Sequence, residues 1–95
     1  MKIVYKTAAL KTIDSAAAFV ESKNTEGSGD RWVEKFAEEI SSLAKSTAQF
    51  PLCKAPQLAK WNYRCFTYKN WVIAFKISDK KFEVCRIIWG SNLNY

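Results

Sequence analysis

The sequence predicts an α+β domain of order β-α-α-β-β-β, a small antiparallel sheet covered on one face by a helical hairpin. Three observations predict it. Trp32, Phe36, Ile40 and Leu43 recur at spacings of four, four and three, the stripe of an amphipathic helix. Trp71, Ile73, Phe75 and Ile77 alternate with Val72, Ala74 and Lys76, the period of a strand. Two short polar turns, Lys69-Asn70 and Asp79-Lys80-Lys81, cut the last third of the chain into three adjoining strands.

The elements follow in order. Residues 2–6 read as a short strand in which Ile3 and Tyr5 alternate with Lys2, Val4 and Lys6. Thr7 reads as an N-cap to an alanine-rich helix from Ala8 to about Lys23. Its buried stripe is expected to be Leu10, Ile13, Ala17 and Val20. Residues 24–29, Asn-Thr-Glu-Gly-Ser-Gly, are a turn, and Asp30 is the expected N-cap of the second helix, with exit at Ser46 and Thr47. Residues 48–61 hold both prolines, Pro51 and Pro56, and show no period, so an irregular connection is expected. Tyr63–Tyr68, Trp71–Ile77 and Phe82–Trp89 then form a meander. The helices need one sheet face only, which leaves the other open to solvent or to a partner.

Ninety-five residues suit a single domain, 1–95, with one core. No apolar run reaches the length of a membrane span, and the first residues lack the apolar stretch of a signal peptide, so a cytoplasmic, membrane-free protein is expected. The chain has no histidine. That excludes Ser-His-Asp and Cys-His catalysis and histidine metal sites, and no metal or cofactor is expected. Cys53, Cys65 and Cys85 are odd in number and widely spaced, so they read as reduced thiols, with Cys65 and Cys85 as small core residues.

Charge is segregated. Residues 1–49 carry seven basic and seven acidic groups and are neutral. Residues 50–95 carry eight basic groups against Asp79 and Glu83, so the whole excess of six lies there. The same half holds ten of the fourteen aromatic residues. A basic, aromatic-rich half draws polyanions, because lysine and arginine neutralise phosphates and exposed rings stack on bases. An acidic protein segment is drawn by the same field. Equally, strand aromatics pack cores and turn lysines are solvated ends.

The element order and three short runs resemble the RelE/ParE superfamily, the toxins of type II toxin–antitoxin (plasmid stabilisation) modules of bacteria. The runs are Tyr63-Arg64-Cys65-Phe66-Thr67-Tyr68, Trp71-Val72-Ile73-Ala74-Phe75 and Arg86-Ile87-Ile88-Trp89-Gly90-Ser91. The resemblance implies growth inhibition through a macromolecular target, either DNA gyrase or the ribosome with its mRNA. It also implies a cognate antitoxin that wraps the toxin, and assembly as a homodimer or a toxin–antitoxin hetero-oligomer. In the ribonuclease branch the arginine matched by Arg64 contacts the scissile phosphate, and basic residues ahead of that strand match the region of Lys54 and Lys60. Tyr95 stands in for a terminal tyrosine of that branch. Trp89 occupies the place of a usual histidine, and Asn92 lies near an expected arginine. Neither exchanges a proton at neutral pH, which favours a binding toxin of the ParE sort over an mRNA endonuclease or a non-toxic module on the same scaffold.

The candidates are therefore Arg64, Arg86 and Tyr95 for chemistry, and Lys54, Lys60, Arg64, Arg86, Trp89 and Asn92 for contact with the target. Each has a plainer reading. If Tyr63, Cys65 and Thr67 face the helices, then Arg64, Phe66 and Tyr68 face the open side. Arg64 can pair with Glu83 across the sheet, and Arg86, in an apolar run, needs a partner in either the protein or a ligand. Lys54 and Lys60 can be solvated lysines, and Trp89 either closes the core edge or stacks on a partner. Trp32 and Phe36 read as core, while Trp61 and Trp71 fit core or surface.

Overall fold

The computed structural model describes residues 2–45 and 50–92. Its elements are β1 (Lys2–Tyr5), α1 (Thr7–Lys23), α2 (Ser28–Lys45), α3 (Pro56–Ala59), β2 (Arg64–Tyr68), β3 (Trp71–Ser78) and β4 (Lys81–Trp89). A 3-10 turn, Gly90–Asn92, follows β4. This is the predicted β-α-α-β-β-β order with one helical turn added ahead of β2. The exit expected at Ser46 and Thr47 lies outside the described residues.

The strands lie in the order β1-β4-β3-β2. The last three strands form the antiparallel meander, but β1 joins β4 in parallel, with Ile3 beside Phe82 and Tyr5 beside Val84. The sheet is thus mixed. Ile3 and Tyr5 continue the apolar row of Phe82 and Val84, so this edge gains burial whichever way the strand runs.

The helical hairpin packs on one face. In α2, Phe36 and Ile40 are buried and Trp32, Val33, Leu43 and Ala44 pack around them, as the spacing predicts. They meet Phe66, Ile73, Phe75, Phe82, Val84 and Ile87. Phe75 stacks on Phe82 with centroids 4.5 Å apart, and Phe50 closes over Phe66 and Phe75 at 5.4 and 5.6 Å. In α1 the buried residues are Ala9 and Ile13, while Leu10 is 46% exposed. Ile13 is buried and Ala17 and Val20 are half-buried as expected, but Ala9 takes the place given to Leu10. The methyl of Ala9 lets the helix approach β4 closely, whereas Leu10 on that side would hold it off.

The turn between the helices also differs from expectation. Helix α2 begins at Ser28, so Asp30 lies inside its first turn rather than capping it. The cap comes from α1. Glu21 accepts the Gly27 N–H at 2.8 Å on one carboxylate oxygen and the Gly29 N–H at 2.7 Å on the other. A carboxylate at this position satisfies orphan donors and meets the positive end of the helix dipole. These two bonds, with Arg31 nearby, hold its carboxyl below the usual carboxylate range. Gly27 turns the chain at φ +87, and a Cβ on Gly29 would stand 2.7 Å from the Ala17 carbonyl oxygen. Glycine is needed at both points, once for the turn and once for the close crossing of the helices.

The second sheet face is covered too, contrary to the sequence reading. Residues 53–63 fold back across it, while Phe50 stays with the helix-side core. Cys53, Ala55, Leu58 and Tyr63 are buried against Val72, Ala74 and Cys85, with Cys65 and Ile88 at the margin. Pro56 opens α3, where its fixed φ suits a first helical position. Leu52 bridges Arg64 in antiparallel fashion, flanked by Cys53 N–H to the Tyr63 carbonyl at 2.8 Å and Cys65 N–H to the Pro51 carbonyl at 3.1 Å. A disulfide joins Cys53 to Cys65. The reading of three reduced thiols is therefore corrected: Cys85 alone is free, and it is buried as expected. Spacing could not show that the connection returns Cys53 to the edge of β2.

The assumed alternation in β2 is reversed as well. Phe66 and Tyr68 face the helices, while Tyr63 and Cys65 face the second layer. In β4, one extra residue, Cys85, interrupts the ladder between the pairs Phe75–Val84 and Ala74–Arg86.

Two measurements test these local arguments. Asp79 and Lys80 sit at φ 47 and 62 in the two-residue turn between β3 and β4. A left-handed non-glycine residue costs about 1–2 kcal/mol. Lys80→Gly should recover roughly 1 kcal/mol and raise the melting temperature by about 4–8 °C. Glu21→Gln should lower the melting temperature at pH 7. Because the folded-state pKa of Glu21 is depressed, its contribution is present above the unfolded value near ~4.3 and disappears as pH falls through the lower folded value. The gap between the two proteins should close in acid, and a gap unchanged at low pH would contradict the assignment.

Candidate functional site

The candidate residues do not converge on one point. Arg64 opens β2 on the helix-facing side, since it shares that side with Phe66 and stands opposite Phe75. It is exposed, and its guanidinium Nη1 donates to the Phe50 carbonyl at 2.6 Å. Arg86 stands opposite Ala74 on the other face. It is half-buried, and its Nη1 donates to the Cys85 carbonyl at 2.8 Å. The two guanidinium groups thus occupy opposite sides of the sheet, each holding a backbone carbonyl.

Glu83, the expected cross-sheet partner of Arg64, pairs elsewhere. Its carboxylate meets Lys6 Nζ at 3.3 Å and accepts the Ser78 hydroxyl at 3.2 Å. Hydrogen bonds from Lys6 and then Ser78 hold its pKa down. Lys6, Lys76, Tyr63, Glu83 and Arg86 line a concavity of about 480 Å³ on the second face. Lys76 lies 5.2 Å over the Tyr63 ring. Burial first, and then the Glu83 carboxylate, push the Cys85 thiol up, so this thiol is not a ready nucleophile.

Lys54 and Lys60 are exposed on the covering segment. Lys60 lies 5.4 Å over the ring of Trp61, which is 52% exposed. Trp71 is half-buried against the helices, and Trp89 packs on it edge to face at 5.0 Å while staying 39% exposed. Trp89 therefore closes the core edge and keeps a free surface. Asn92 ends the 3-10 turn, and Tyr95 lies outside the described residues.

A further feature is one that sequence reasoning missed. A groove of about 900 Å³ runs between α1 and the far end of the β3–β4 hairpin. Phe19, Val20, Trp32, Trp71, Ile87 and Trp89 give it apolar walls, and Asn70 and Lys69 stand at its rim. Phe19 is 64% exposed, with Lys23 Nζ 5.8 Å over its ring. The signal was present: Thr12, Ser15, Ala16 and Phe19 recur at i, i+3, i+4 and i+7, a second helix face beside the buried one. It is faint because only Phe19 in it is large and apolar.

A helical hairpin on a small mixed sheet that ends in a three-strand meander is the architecture of RelE/ParE-superfamily toxins. The chain belongs to the ParE toxin family, whose model, the ParE toxin of the type II toxin–antitoxin system parDE, matches residues 3–93. Membership implies a cognate antitoxin as partner. Comparison with curated proteins gives no match. Among the described residues, no helix is long and apolar enough to cross a membrane.

Proposed function

We propose that this toxin inhibits growth by binding DNA gyrase rather than by cutting mRNA, and that its antitoxin silences it by filling the aromatic groove. The observation that carries the first part is the separation of Arg64 and Arg86. Phosphodiester cleavage needs stabilising cations and proton-transfer groups gathered around one reacting atom. Here the two arginines point away from each other, each occupied by a carbonyl, and the chain has no histidine. A binding mechanism makes no such demand. The cationic half of the chain supports attraction to an anionic nucleoprotein target.

The groove suits an antitoxin segment that is amphipathic and acidic. Its aromatic walls supply anchor pockets, and Lys23 and Lys69 flank its opening with positive charge. A helix laid there buries its apolar face as in other helix-in-groove complexes.

Induction of the gene without its antitoxin should arrest growth, and the purified protein should trap gyrase–DNA cleavage complexes. Codon-spaced mRNA cuts in primer extension, lost on Arg64→Ala, would instead establish the endonuclease reading. For the groove, Phe19→Asp should weaken antitoxin binding by at least about tenfold, the scale of a single anchor residue. Calorimetric titration checks this, with the circular dichroism of the variant confirming its fold. An unchanged affinity moves the antitoxin off this surface.

A further inference from the structure

We propose that the Cys53–Cys65 disulfide is a thiol-exchange site that latches residues 53–62 onto the second face of the sheet. Apart from the peptide chain that runs through Tyr63 into β2, the disulfide is the covalent link between the covering segment and the strand edge. Around it, the segment is held by the Cys53–Tyr63 and Cys65–Pro51 backbone bonds and by the burial of Cys53, Ala55, Leu58 and Tyr63, while the chain just before it is anchored on the helix side by Phe50. These contacts are few and local. The sheet beneath is secured independently by the packing of the helices on its other face. The molecule is thus built so that one layer can open while the other persists.

The two sulfurs are not equivalent. Cys53 is 5% exposed within the apolar layer. Cys65 is half-buried and lines a cleft of about 260 Å³, with Leu52, Lys54 and Thr67 around it. An external thiolate enters this cleft beside the Lys54 ammonium and attacks Cys65 Sγ. A mixed disulfide forms at Cys65 as the S–S bond to Cys53 breaks, and Cys53 departs as a thiolate. A thiolate among Ala55, Leu58 and Tyr63 is poorly solvated, which drives the segment outward to where water can protonate it. The second thiol of a dithiol reductant then attacks the mixed disulfide and releases Cys65. The reductant leaves as its own disulfide, so two electrons and two protons have passed to the protein.

Cys85 does not resolve the exchange. Cys65 stands opposite Ala74 on β3, and β4 lies one strand further on. Two strand spacings are about 9.5 Å, beyond the roughly 7 Å over which cysteines can be bridged. The co-reactant is therefore external, a dithiol or two monothiols. Once the segment lifts, the Cys65 N–H and the Tyr63 carbonyl lose their partners, and the β2 edge is open to an extended peptide.

The test uses the full chain with dithiothreitol as probe, read by residue-resolved amide exchange. Reduction should add two titratable thiols, at Cys53 and Cys65, to the buried one of Cys85. It should also cut protection of the Cys53 and Cys65 amides by up to roughly a hundredfold, the scale set by closing a loop of this length. Amides of Phe75 and Val84 should keep theirs. The double variant Cys53→Ser/Cys65→Ser should match the reduced protein. Brief treatment with glutathione should give a mixed disulfide on the Cys65 peptide. Three results would each overturn the proposal: equal loss of protection throughout the sheet or failure of the variant to fold, no change at either amide, or capture of glutathione on Cys53. The first would make the bond a staple of the whole fold, and the second an inert one.

Discussion

The fold depends on a β3–β4 hairpin that is apolar on both faces. Val72, Ile73, Ala74 and Phe75 are consecutive and all buried, and Phe82, Val84, Cys85 and Ile87 answer them on the neighbouring strand. A strand of this kind cannot tolerate water on either side, because each exposed apolar side chain forfeits roughly 1.5–3 kcal/mol of burial. One layer of helices satisfies half of that demand. The other half is met by the stretch from Cys53 to Tyr63, which has little regular structure of its own and takes its shape from the surface it covers.

This explains what was legible in the sequence and what was not. Helix α2 could be read because Trp32, Phe36, Ile40 and Leu43 carry a strong period and face a deep core. The strands could be read because polar turns separate short β-rich runs. The buried face of α1 was misread at its first position only, because alanine and leucine exchange their usual ranks where a helix comes close to a sheet: Ala9 is inside and Leu10 outside. The second layer could not be read at all. Its residues have no period, and the contiguous apolar run 72–75 was the only hint that both sides of β3 needed cover. The Cys53–Cys65 bond depends on that same return of the chain, so it was hidden for the same reason.

The candidate site was less legible than the fold. Composition correctly marked the second half as cationic and aromatic, but it could not say on which side of the sheet each group falls. The expectation of an uncovered face carrying Arg64 gives way to a covered face with Arg86 at its border and Arg64 on the opposite side. The accessible apolar surface lies instead at the end of the sheet, where Trp71 and Trp89 meet Trp32 and α1. For the proposed silencing by an antitoxin, this distribution separates two needs. Greasy walls give lasting contact, and scattered positive charge gives attraction at a distance.

The extra residue in β4 reaches further than its size suggests. It shifts the phase of the strand by one, so that odd and even positions exchange sides beyond it. With Cys85 inserted, Ile87 falls opposite Ile73 and Trp89 opposite Trp71. A strand kept in step from Val84 onward would instead aim Arg86 at Ile73, beneath the helices, and carry Trp89 past the end of its partner. A single added amino acid thus decides both that a guanidinium stays out of the oily interior and that a tryptophan reaches the lip of the groove. No rule of alternation applied to the letters alone can see such a change of parity.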